Sequence, residues 1–194
     1  MTLEEYFDFE DRSQTRHEYI DGEIFAMSGV TRRHNDIAGN IYIRLRTAAR
    51  GGSCRVHMSD VKLRVGRIIY YPDVMAGCGT PPTDERLQIA PSLIVEVLSP
   101  STQSTDRREK QMVYKGIPSL NAYLIVDQMQ RCVDRHWRDA DGSWRHDVIA
   151  DDAAIPVSFG KTSLTLTLDE IYEGVTLPTV EERLRLREEE AVYG

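Results

Sequence analysis

The sequence predicts an α/β protein, a mixed and curved β-sheet with helices on its faces. Three observations carry this. Leu93-Ile94-Val95-Glu96-Val97-Leu98 is apolar but for one acid, the pattern of a central strand buried on both faces. Gln103 to Tyr114 then reads as a helix ended by Gly116 and Pro118,. Ala122 to Val126 is a second buried strand. Strand, helix, strand in that order implies a right-handed crossover and parallel pairing.

The other elements follow along the chain. Thr2-Leu3-Glu4-Glu5 opens a short helix, with Thr2 as N-cap and acids in the first turn,. Asp21-Gly22 is a two-residue turn signal between Glu18-Tyr19-Ile20 and Glu23 to Met27, hence a hairpin,. Ile37, Ile41, Leu45 and Ala48 recur every three or four residues, so Arg33 to Arg50 is a helix with one apolar face,. Gly51-Gly52 ends it,. Cys54 to Met58 and Val61 to Val65 alternate as strands, and Ile68-Ile69-Tyr70 leads into Pro72-Asp73,. Arg131 to Trp137 and Trp144 to Ile149 flank Asp139-Ala140-Asp141-Gly142 as an antiparallel hairpin,. Ser163 to Leu166 is a late edge strand, and Leu168 to Tyr172 a closing helical turn. From Thr179 the chain is charge-rich, with a thin apolar stripe of Val180, Leu184 and Leu186.

A length of 194 residues suits one domain with a real core,. We expect residues 1–175 to form it and residues 176–194 to be a charged helical tail. No apolar run approaches a membrane span, and the acidic start lacks the apolar segment of a signal peptide,. Cys54, Cys78 and Cys132 are odd in number and far apart. They suggest neither a zinc site nor a disulfide framework, and a reducing cytoplasm is the simplest setting. The formal charge of −7 argues mildly against a nucleic-acid partner,. Part of the excess lies in Glu188-Glu189-Glu190, and part in acids whose charge a bound cation would offset,.

The chemistry concentrates between Tyr70 and Lys110. Asp73 follows a short apolar strand, and Glu96 sits within one. An acid inside an apolar strand is costly without a partner or a metal. Asp73 and Glu96 are carboxylates suited to Mg²⁺, which takes one or two protein carboxylates and keeps waters or phosphate oxygens. Lys110 would orient the attacking water or, as the neutral amine, deprotonate it, or as the cation meet charge in the transition state. Asp106 and Lys110 are four apart on one helix, so they share a face and can pair.

These residues resemble the PD-(D/E)XK nuclease superfamily and, within it, the Uma2 family of restriction-type endonucleases. The matching residues are Pro72-Asp73, Val95 to Thr102, Asp106, Lys110, Tyr114, Gly116 and Ala122 to Asp127. Upstream, His17 to Glu23 and His34 resemble the family's N-terminal pattern. The resemblance runs from about residue 3 to about residue 175. It implies a restriction-endonuclease-like sheet and Mg²⁺- or Mn²⁺-dependent cleavage of DNA. It also implies a metal site of Asp73, Glu96, the Val97 carbonyl and Glu18, with Lys110 as the catalytic cation. The superfamily's usual lysine lies two residues after the second acid, where this chain has Leu98. Lys110, on the following helix, stands in for it.

Each residue also has a plainer reading. Asp73 can cap a turn, Glu18 and Lys110 can be solvated, and His34 can serve a local hydrogen bond at a helix start. Arg32 and Arg33 form either a phosphate-facing patch or an ordinary helix surface. Tyr70, Tyr71, Tyr114 and Tyr123 read as packing. The alternative function is a nuclease fold serving as a binding or regulatory module without catalysis. A weaker third reading is a hydrolase of small phosphoesters. A homodimer suits the cutting of both strands of a duplex.

Overall fold

The computed structural model describes residues 1–98 and 106–185, without the side chains of residues 106 and 107. The expected turn at Ser99 to Thr102, the start of its helix at Gln103 and the tail beyond residue 185 therefore lie outside the described residues.

The chain begins with α1 (Leu3–Glu10), the hairpin β1 (His17–Ile20) and β2 (Glu23–Ala26), and the long helix α2 (Arg32–Ala48). Strands β3 (Cys54–Met58), β4 (Lys62–Val65), β5 (Ile68–Tyr70), β6 (Val74–Cys78) and β7 (Leu87–Gln88) follow. The central unit is β8 (Pro91–Leu98), α3 (Asp106–Lys115) and β9 (Ala122–Asp127). Last come β10 (Val133–Arg138), β11 (Trp144–Ile149), β12 (Ile155–Phe159), β13 (Thr162–Leu166) and α4 (Leu168–Ile171). Residues 180–185 are helical.

Local signals account for most boundaries. Thr2 and Glu5 form a reciprocal capping box at α1,. Asp21 and Gly22 both take positive φ, as a tight hairpin turn of this hand requires,. Thr31 caps α2, and His34, Ile37, Ala38, Ile41 and Leu45 form its buried face.

The strands are arranged as a mixed α/β architecture. A five-stranded sheet runs β2-β1-β5-β4-β7, a six-stranded sheet β11-β10-β9-β8-β6-β3, and β12 and β13 pair apart. β8 and β9 are parallel, as their crossover requires, and the hairpin strands β10 and β11 are antiparallel. The expected single sheet is thus divided. Tyr71-Pro72-Asp73 is where the chain passes from β5, in the first sheet, into β6, in the second. The sequence does not signal strands β6, β7 and β12: Val74-Met75-Ala76-Gly77-Cys78 is short and glycine-broken, Leu87–Gln88 is only two residues long and reads with Asp84 to Leu87 as a loop or helical turn, and Ile155-Pro156-Val157 contains a proline.

One correction concerns the cysteines. Cys54 and Cys78 are directly opposed in the β3–β6 register and form a disulfide. Their separation of 24 residues hides a pairing that only the sheet register makes. Cys132 stands outside this bond.

The strand alternation of β8 divides the core. Leu93, Val95 and Val97 face α2 and the apolar cluster that includes Ile37, Ile41 and Leu45. Ile94 faces the opposite cluster of Leu63, Tyr70, Met75, Tyr114, Tyr123 and Ile125. Period-two alternation puts Glu96 on this second side. No helix among the described residues is long and apolar enough to cross a membrane.

Candidate active site

The seam between the two larger sheets brings together residues from five elements. Asp73 lies immediately before β6, and its backbone carbonyl accepts from Ser59 N–H at 3.2 Å. Asp73 Oδ2 accepts the Val97 N–H at 2.7 Å and lies 3.2 Å from His34 Nε2. His34 stands on the buried face of α2, and its other ring nitrogen, Nδ1, is buried with no hydrogen-bond partner among the described residues.

Glu96 is held from the opposite face. The Tyr114 hydroxyl donates to Glu96 Oε1 at 2.7 Å. Lys110 Nζ lies 3.9 Å from the same oxygen. Lys110 and Tyr114 are one turn apart on α3, so one helix face delivers both. Lys110 Nζ also donates to Glu18 Oε1 at 2.7 Å and sits 5.1 Å from the centroid of the Tyr70 ring. Glu18 comes from β1, so this ion pair ties the first sheet to α3.

Burial and neighbouring charge set the electrostatics. Burial pushes the Glu96 carboxyl up to about 7,. Lys110 opposes that rise, Asp73 and Glu18 add to it, and the Tyr114 hydrogen bond lowers it. For His34, burial disfavours the imidazolium. The hydrogen bond and charge of Asp73, the charge of Glu96 and a hydrogen bond to the Val97 backbone outweigh it and leave the pKa raised. Burial, then the charge of Glu96, raises the Tyr114 hydroxyl well above its usual range. Tyr114 is therefore a hydrogen-bond donor at ordinary pH.

Among the described residues no three His, Cys, Asp or Glu side chains form a ready-made cage for an ion. The donors suit a hard ion that keeps most of its own waters. Asp73 and Glu96 side chains are 16% and 13% exposed, enough to be reached from solvent. Asp73 Oδ1 and Glu96 Oε2 accept no hydrogen bond among the described residues. Each carboxylate thus keeps an oxygen for a ligand. The backbone N–H of Val97 joins the two, following Glu96 in β8 and donating to Asp73.

Of the residues singled out in the sequence, Glu18, His34, Asp73, Glu96, Val97 and Lys110 converge here. Arg33 is committed elsewhere: Nε donates to the Thr176 carbonyl at 3.0 Å and Nη1 lies 3.5 Å from Met129 Sδ. Arg32 is exposed at the start of α2. Asp106 begins α3, and its side chain is outside the described residues. Tyr114, read from sequence as packing, reaches the central acid. Its place four residues after Lys110 was the signal for that contact.

The fold is that of a mixed α/β domain with a cluster of acids and a lysine at the seam of its two larger sheets. A sequence profile for Uma2, described as "Putative restriction endonuclease", matches residues 3–169. The chain belongs to the Uma2 family. It is 33% identical over 180 residues to the uncharacterized Synechocystis protein slr1290, covering 90% of this chain and 93% of that protein. A second uncharacterized Synechocystis protein, sll1609, is 31% identical over 167 residues, covering 83% of this chain and 94% of the relative. The crystal structure of a "putative nuclease belonging to DUF820" from Anabaena variabilis superposes with a TM-score of 0.73 at 18% identity. That match covers 91% of this chain and 99% of the Anabaena chain, and it speaks for the fold.

Proposed function

We propose that this chain is a Mg²⁺- or Mn²⁺-dependent endonuclease that hydrolyses DNA phosphodiester bonds. The observation that carries the reading is the placement of Lys110. Its ammonium lies 2.7 Å from Glu18 Oε1 and 3.9 Å from Glu96 Oε1, bridging the acid of β1 and the acid of β8. Asp73, Glu96 and the Val97 carbonyl would hold the metal, with Glu18 next to them. A bound divalent ion supplies Lewis acidity toward the scissile phosphate and makes water acidic at neutral pH.

The protein's own groups do the rest. Val97 N–H and His34 hold one oxygen of Asp73, which leaves the other for the metal. Tyr114 does the same for Glu96. Lys110 can orient the attacking water or meet the negative charge that develops on the phosphate oxygens. Glu18 fixes that ammonium and can accept a proton through it. Arg32, exposed two residues before His34 at the start of α2, is assigned a phosphate contact. Arg33 is already hydrogen-bonded within the protein and is the poorer candidate.

The working unit we assign is residues 1–175, acting as a homodimer so that two related sites reach both strands. The setting we infer is the cytoplasm, where the substrate is. Cysteine usage no longer argues for it, since Cys54 and Cys78 are paired.

A second reading is favoured by Leu98, which stands where the superfamily has its lysine, and by the charge of −7. On that reading the chain is a non-catalytic binding module. The deciding experiment is cleavage of supercoiled plasmid with Mg²⁺ or Mn²⁺ by wild type and Glu96→Ala in parallel. Cutting by wild type alone supports the endonuclease. Cutting by both points to a contaminant. Cutting by neither, with no metal-induced rise in Tm, favours the module.

A further inference from the structure

Gln128 follows β9 and is 1% exposed. Its two polar ends are used in opposite directions. Gln128 Nε2 donates to the Leu98 carbonyl, at the end of β8, at 2.8 Å. Gln128 Oε1 accepts from the Thr31 hydroxyl, the N-cap of α2, at 2.6 Å. Thr31 Oγ1 in turn accepts the backbone N–H of His34 at 3.1 Å. His34 reaches Asp73 Oδ2, and that oxygen accepts from Val97 N–H. Val97 is covalently joined to Leu98. The contacts therefore close a ring: Asp73, Val97, Leu98, Gln128, Thr31, His34 and back to Asp73.

The ring has a specific mechanical consequence. In an extended strand the polar groups of successive residues point to opposite edges. The Val97 N–H is fastened on the β6 edge by Asp73, and the Leu98 carbonyl on the β9 edge by Gln128. The peptide that carries the Val97 carbonyl lies between these two anchors. With both flanking peptides tied, that carbonyl has little freedom to rotate. The same ring sets the start of α2, and so the position of the His34 ring against Asp73.

We infer that Gln128 is a positioning residue for the metal site, holding the Val97 carbonyl and His34 against Asp73 without touching metal or substrate itself. This rests on the metal-dependent reading above. A buried glutamine that only satisfied two backbone or cap groups would affect stability. One that orients ligands affects metal affinity, because partners behind ligands are typically worth roughly 10–100-fold.

The test measures Mn²⁺ binding calorimetrically with the full-length, metal-free protein. The proteins are wild type, Gln128→Met, Thr31→Ala and Thr31→Ser. Gln128→Met keeps the side chain's length and loses both polar ends. The expected result is about 10-fold or more weaker Mn²⁺ binding for Gln128→Met and Thr31→Ala. Thr31→Ser, which retains the hydroxyl, restores the wild-type constant. The double variant Gln128→Met/Thr31→Ala binds no more weakly than either single, because both break one ring. On plasmid, kcat falls in parallel while KM for DNA holds. Wild-type Mn²⁺ affinity in Gln128→Met, with only Tm lowered, overturns the inference and leaves the nuclease reading standing. No Mn²⁺ uptake by wild type overturns both. If Gln128→Met does not fold, the Thr31→Ala and Thr31→Ser pair decides alone: equal affinities sink the inference, and a loss rescued by serine supports it.

Discussion

The hydroxyl of Tyr114 donates to Glu96 Oε1 at 2.7 Å, from a side chain with no solvent exposure. Tyr114 is itself wedged edge-on between Tyr70 and Tyr123, with ring centroids 5.5 Å and 5.2 Å away. The acid at the centre of the site is therefore aimed by an aromatic group that cannot swing aside. Tyr114→Phe keeps that packing and removes only the donor. Global stability should fall by about 1 kcal/mol, the usual net worth of one hydrogen bond. Metal affinity and cleavage should fall further, by about 10-fold, because the carboxylate loses its orientation. Urea unfolding beside Mn²⁺ titration checks this, and an affinity equal to wild type would remove Tyr114 from the site's machinery.

Lys110 is the hub of the charged contacts, and removing it should be felt before any chemistry is assayed. Its ammonium is 15% exposed and faces Glu18 and Glu96, which are 10% and 13% exposed. Lys110→Met leaves both acids without their cation. The metal-free protein should lose about 2 kcal/mol, below the figure for fully buried pairs because all three groups retain some solvent. Denaturant midpoints with and without Mn²⁺ separate the two contributions. A divalent ion should recover part of the lost stability while cleavage stays abolished. Unchanged stability in Lys110→Met would mean that the ion pair with Glu18 is a solvated contact.

Much of this arrangement could be read from residue order. The acid within Leu93 to Leu98, the aspartate after Pro72 and the lysine on the next helix are visible because each breaks a local pattern. The hairpin at Asp21-Gly22 and the apolar face of α2 are equally local. What escaped depends on register. Cys54 meets Cys78 only because β3 and β6 pair residue for residue. Thr31 meets Gln128 across 97 positions. Glu18, one acid among many in the sequence, acquires meaning only when β1 is laid beside α3. His34 carried a usable sign, a polar residue on the apolar stripe of a helix.

Asp73→Asn tests the metal assignment most directly. The amide can still accept from Val97 N–H, so the start of β6 should hold and Tm should stay within a few degrees. The negative charge is lost, and with it Mn²⁺-induced stabilisation and cleavage. A variant that still gains stability with Mn²⁺ to the wild-type extent would exclude Asp73 as a ligand.

The disulfide makes a prediction that does not involve the site. Cys54 and Cys78 close a loop with a sequence separation of 24 residues. Restricting the unfolded chain in this way is worth about 3 kcal/mol. Dithiothreitol should lower the unfolding midpoint accordingly, and Cys54→Ser should lower it without any further response to reductant. Mn²⁺ binding should be unaltered in both, because the bond lies at the far end of β6 from Asp73. A wild-type midpoint indifferent to reductant would show that the two thiols are not joined in the isolated protein.

The pH dependence of the metal-free protein follows from Glu96 and His34. Glu96 is raised from an ordinary 4.5 to about 7 in the folded state. Between those values the folded protein holds a proton that the unfolded chain has released. Stability therefore declines as pH rises through this window, by at most about 1.4 kcal/mol per pH unit. His34 is also raised above its ordinary 6.5. Its contribution is present below that value and is lost as pH rises through the folded one, so the two act in the same direction. The unfolding midpoint of metal-free protein should thus be higher at pH 5 than at pH 8. Glu96→Gln, neutral throughout, should flatten the lower part of the curve and leave the shallower His34 component. Saturating Mn²⁺ should reverse the trend, since it binds the ionised carboxylate and gains affinity as protons leave. Unfolding curves collected at half-unit steps from pH 5 to pH 8 read all three. A wild-type curve that rises with pH in the absence of metal would contradict the assignment of Glu96 as the buried, proton-holding acid.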